Sequence, residues 1–183
     1  MKIELFVLPE KAREQFIEAF VLTREEFRTV CPDMVSLSER THQDFDVWYD
    51  SAYLWDKMSP DMPAVTFREA LRLLRTRQGT VLMMSETELS GHQGGLIHHG
   101  RCVFDYVAMV DAQELADCIA KEWYECQRSA ADDGCPSEAI LPEDLYVFDT
   151  SLDWVIVFTH EINPLQDSTA KDAESRFCLA FGL

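Results

Sequence analysis

LYVFD at residues 145–149 and WVIVFTH at residues 154–160, joined by TSLD at 150–153, are the stretch on which the fold turns. Both runs are rich in β-branched and aromatic residues, which suit a pleated, buried surface. The linker between them has the polar composition of a turn. Together they predict a β-hairpin in the core of a sheet. Asp149 and Asp153 flank its turn, and Trp154 opens its second strand. Working outward, TVLMMS at 80–85 predicts a buried strand and CVFDYVAMV at 102–110 predicts another.

The helices announce themselves by their starts. Pro9 suits a first helical position, and Phe16, Phe20, Phe27 and Val30 recur at near-helical spacing behind it. Thr23 and Glu26 form a capping-box pair, so the helix is expected to break there and restart, ending at Cys31-Pro32. Thr66 and Glu69 form a second such pair, opening a helix that runs to Arg77 with Ala70, Leu71, Leu73 and Leu74 inward. Gly79 is its natural stop. Asp111 and Glu114 cap a third helix with an apolar stripe of Leu115, Cys118, Ile119, Trp123 and Cys126.

Short strands are expected over residues 2–8 and 177–183. The least periodic stretch, 32–64, interleaves acids with Phe45, Trp48, Tyr49, Tyr53 and Trp55, aromatics that serve as anchors in a core or at an interface. Hairpins alternating with helices predict a single α+β domain over residues 1–183, a mostly antiparallel sheet packed with helices. A doubly wound parallel sheet fits the order of elements less well.

Charge narrows the function. The chain holds 33 acidic and 16 basic residues, a net charge of −17. Such a surface repels nucleic acid and anionic lipid and attracts basic proteins or cations. The imbalance is uneven: residues 129–183 contain 11 acids and only Lys171 and Arg176 as bases. No apolar run approaches the length of a membrane span. The opening residues lack the pattern of a signal peptide, and the six cysteines are expected to be reduced thiols of a cytoplasmic protein.

Motifs for chemistry are sparse. Neither GxxxxGK[ST] nor GxGxxG is present. His160-Glu161 begins like a zincin motif, but Pro164 stands where the second histidine belongs. Ser168 and Lys171 match SxxK without the SDN or KTG partners that give it meaning, and read as a helix cap with a solvated lysine. Asp44, Asp46 and Asp50 lack the glycine and glutamate of a calcium loop, since Tyr49 and Trp55 occupy those positions.

His92, His98, His99 and Cys102 are the best metal candidates, imidazoles and a thiol of the type zinc takes, on a glycine-rich loop. The set matches no known ligand pattern, so no cofactor is expected. Arg68, Arg72 and Arg75 line one face of a helix. They suit either carboxylates of the same chain or a bound anion.

The pattern YVFD-x-S-x-x-W-x(3)-FTHE, from Tyr146 to Glu161, is similar to a hairpin of uncharacterised bacterial proteins, some of which resemble immunity proteins of toxin systems. The resemblance covers the hairpin alone and implies a partner-binding role without a catalytic residue. Residues and resemblance together predict a non-enzymatic acidic protein that binds a basic protein, as an immunity-type inhibitor binds its toxin. Asp149, Asp153, Glu143 and Asp144 would supply the carboxylates, and Trp154 an aromatic anchor. Two other readings compete with it: a small hydrolase or metal-dependent enzyme built on the histidine loop, and a housekeeping domain with no site.

Overall fold

The computed structural model describes residues 4–5, 9–31, 54–85, 96–98, 101–103, 107–130, 144–162 and 176–182. The predicted hairpin is its centre. Strands β7 (Leu145–Phe148) and β8 (Val155–Ile162) pair antiparallel, with Leu145 opposite Phe158 and Phe148 opposite Val155. Around them lie β1 (Glu4–Leu5), β2 (Ala64–Thr66), β3 (Thr80–Ser85), β6 (Val107–Asp111) and β9 (Arg176–Phe181). The seven strands run in the order β1-β6-β3-β7-β8-β9-β2, every neighbouring pair antiparallel. The architecture is the expected α+β class.

Among the described residues four α-helices accompany the sheet: α1 (Pro9–Phe20), α2 (Arg24–Val30), α3 (Phe67–Thr76) and α4 (Ala112–Ala130). Because β6 and β7 both pair with β3, they run in one direction, and α4 carries the chain from one to the other. Residues α3 and α4 contribute to the core, Phe67, Leu74, Leu115 and Ile119 among them, cluster with Val81, Met83, Val147, Ile156 and Phe158 of the strands. The alternate strand residues, including Leu82, Met84, Tyr146, Phe148 and Val157, cluster with Phe16 and Phe20 of α1 and with Leu54 of a 3-10 turn (Leu54–Lys57).

Helices on both faces explain the sequence. An antiparallel sheet open to water on one side shows polar residues at alternate positions, whereas β7 and the first half of β8, Val155 to Phe158, are buried on both sides and wholly apolar. Phe16 is the hub of the α1 side. Its ring lies 4.8 Å from Phe148, 5.2 Å from Phe20 and 5.4 Å, edge-on, from Tyr146, separations at which tilted aromatic pairs attract. The Tyr146 hydroxyl, fully buried, accepts a hydrogen bond from the amide of Trp55 at 3.1 Å.

The helix starts are where the sequence puts them. At Thr23 the full capping box forms: the Glu26 amide donates to the Thr23 hydroxyl, and the Glu26 carboxylate accepts from the Thr23 amide. Asp111 accepts from the amides of Gln113 and Glu114 at the start of α4. At Thr66 only half the box forms. Its hydroxyl accepts from the Glu69 amide, but the Glu69 carboxylate is held by Arg72, so a charged fork has displaced the reciprocal bond. The α3 helix stops at Thr76, and Gly79 takes φ +79° in the turn into β3.

Three other expectations are corrected. The single strand foreseen over 102–110 is two: β5 (Arg101–Val103) pairs with β4 (Leu96–His98) in a separate two-stranded sheet, and β6 joins the main one. Val30, which shares a near-helical spacing with the buried Phe16, Phe20 and Phe27, is exposed at the end of α2. Residues 64–66 form an edge strand that the sequence did not suggest. No helix among the described residues is long and apolar enough to cross a membrane.

Candidate functional site

Asp149 leaves β7 and organises the turn of the hairpin. One carboxylate oxygen accepts from the Ser151 amide at 2.9 Å and from the Ser151 hydroxyl at 2.6 Å. The other accepts from the indole N–H of Trp154 at 2.7 Å. The Ser151 hydroxyl in turn accepts from the Asp153 amide, and the Asp149 carbonyl from the Leu152 amide. Partial burial works against the charge of Asp149. Hydrogen bonds from Ser151, from Trp154 and from the Ser151 and Leu152 amides outweigh it and hold the carboxyl below the usual aspartate range.

Trp154 is the point where this network meets the core. Its side chain is 4% exposed and packs within the cluster under α3 and α4. The guanidinium of Arg77, the residue that caps the end of α3, lies over the ring at 4.8 Å from its centroid. A cation on the face of an indole and a carboxylate on its N–H reinforce each other, since the anion enriches the ring that the cation faces. The Gln113 side chain, from the first turn of α4, donates to the carbonyls of Arg75 and Arg77 and ties the two helices together at this end.

Burial sorts the five residues predicted to contact a partner. Asp153 is exposed and Asp149 half-buried. Asp144 is 6% exposed and Trp154 is in the core, so neither offers a surface to a second protein. Tryptophan opens the second strand on its inward face, and its polar edge is already met by Asp149. Glu143 lies outside the described residues.

The arginine face of α3 is in contact with acids of its own chain. Arg72 grips Glu69 through two hydrogen bonds, at 2.8 and 2.6 Å. Arg75 reaches Asp117 of α4 at 3.0 Å. Arg68 is exposed on the same helix. The Arg72 fork lowers the Glu69 pKa, and the paired carboxylates supply what an incoming anion would have offered.

Of the histidine loop, His98 ends β4 and Cys102 lies in β5, where it is the partner of Ile97. His92 and His99 lie outside the described residues, as do the aromatic stretch 32–53 and the Ser168 to Lys171 motif. His160 and Glu161 belong to β8, a strand and not the helix that a zincin motif requires. Among the described residues no group of three metal-ligating side chains comes together.

Three features at this end of the sheet went unread in the sequence. Leu152 has a positive φ of 57°. Gly182, just after β9, has φ +72° and sits so close to the turn that a Cβ there would meet the Asp153 carbonyl oxygen at 1.9 Å. Phe181, at the end of β9, is 48% exposed. The glycine was the available signal, because glycine after a strand marks a close backbone approach. No family model, no curated protein and no solved structure matches the chain.

Proposed function

We propose that the protein is a non-enzymatic binding protein whose partner is basic, and that it acts as an immunity-type inhibitor does, by covering a cationic surface with carboxylates. The observation that carries this reading is the distribution of charge: 11 acids against two bases over residues 129–183, within a chain of net charge −17. A field of that sign draws a cationic partner in and turns its cationic side toward the chain before contact. The turn of the hairpin supports the reading locally. Asp153 is exposed there, and Asp149 is held in its charged form by the hydrogen bonds of the turn.

Association kinetics test the proposal. A basic protein retained on the immobilised chain at low salt and identified from the source cells would be mixed with it at rising ionic strength. The association rate is expected to fall steeply, because steering is screened over about 8–10 Å at physiological salt. Neutralising exposed acids beyond residue 128 is expected to slow association more than the same number of changes before it. A rate indifferent to both would remove electrostatic attraction as the basis of function.

A further inference from the structure

The turn end of the hairpin brings together two stretches of backbone, one carrying the exposed Phe181 and the other the exposed Asp153, and hydrogen bonds hold the turn between them. Among the described residues the exposed large hydrophobic side chains are Phe181 and Val30. Val30 ends a short surface helix, whereas Phe181 stands at the end of an interior strand, opposite Val155 of β8. Its ring and that of Phe20 form a T-shaped pair with centroids 6.5 Å apart. The next residue, Gly182, is pressed against the Asp153 carbonyl, which fixes Phe181 beside the turn.

The turn is closed by its own hydrogen bonds. Asp149 receives hydrogen bonds from Ser151 and Trp154, and Ser151 from Asp153. Leu152 is held at φ 57°, a conformation leucine avoids, and packs against the α1 side of the core. Strained backbone that its surroundings enforce clusters at binding sites, and a preordered surface loses little freedom on binding.

We infer that this corner, with Phe181 flanked by Asp153, is the docking surface for the basic partner, and that it receives an arginine side chain. The inference rests on the reading given under Proposed function and names the part of the molecule that carries it. A guanidinium both stacks on an aromatic face and pairs with a carboxylate. Phe181 offers the first and Asp153 the second. Lysine satisfies only the charge.

A hexa-arginine peptide titrated into the full chain at low ionic strength, followed by calorimetry, provides the test. Phe181→Leu keeps apolar area and removes the π face. It is expected to weaken binding about two- to five-fold, the range of an exposed cation–π contact. Asp153→Asn is expected to do the same. Glu14→Gln with Glu18→Gln removes two exposed charges from α1 and is the comparison. Thermal melting of each variant establishes that it is folded, and Phe181→Tyr, which restores the π face, should recover the wild-type affinity. If the α1 variant loses as much as the hairpin variants, attraction is diffuse and the corner is not the docking surface, while the basic-partner reading stands. If hexa-arginine does not bind the wild-type chain at all, both fall.

Discussion

Asp149 shows how much one carboxylate can organise. It closes the turn through Ser151, anchors the indole of Trp154, and through that ring meets the Arg77 guanidinium at the end of α3. Its folded-state pKa is depressed, so it adds stability at pH values above the ordinary aspartate pKa of about 3.9. That contribution is lost as pH falls through the lower folded value. The wild-type melting temperature should therefore drop in acid more steeply than that of Asp149→Asn, which should be less stable at neutral pH by about 1–3 kcal/mol. Thermal melts of both proteins from neutral to acid pH check this; parallel profiles would show that the carboxylate charge is not what the turn uses. The aspartate was visible in the sequence as a turn residue. Its bond to Trp154 was not, because an acid five residues before a tryptophan has no meaning until the strands pair. The exposure of Phe181 was equally hidden, since RFCLAF reads as a run destined for the interior.

At the level of elements, signals that are local were legible and those that depend on a distant partner were not. Strand β3 and the hairpin strands announce themselves by composition, and the break at Thr23 by its cap. The β2 strand has three residues, between Pro63 and a helix cap, and exists because β9 comes to lie beside it. Likewise VAMVD and RCV have similar strand propensity, so nothing local says that they enter different sheets. The two caps make a contrast that can be measured. Thr23→Ala and Thr66→Ala should each cost about 1 kcal/mol, the usual worth of an N-cap hydroxyl. Glu26→Ala should destabilise more than Glu69→Ala, because Glu26 satisfies a backbone amide while Glu69 serves an exposed arginine. Chemical denaturation of the four variants would decide; equal losses at the two glutamates would mean that the reciprocal half of the box contributes nothing.

Among the described residues the seven-stranded sheet has helices on both faces and its shortest strands at the two edges. Amide hydrogen exchange should follow that order, slowest in β3, β7 and β8 and fastest in β1 and β2, since edge amides open without disrupting either core. Exchange monitored by NMR checks it, and slow exchange at β2 would mean that the edge is covered. The position of β9 adds a condition on time. It lies between β8 and β2, so Ala64, Val65 and Thr66 have no strand to join until Phe177, Cys178 and Leu179 arrive. Pairings across such sequence separations close slowly. During synthesis β2 and α3 are made long before the strand that joins β2 to the sheet. The order of manufacture and the order of the sheet therefore disagree at this edge: a strand made among the first is the one whose place is settled by a strand made long after it.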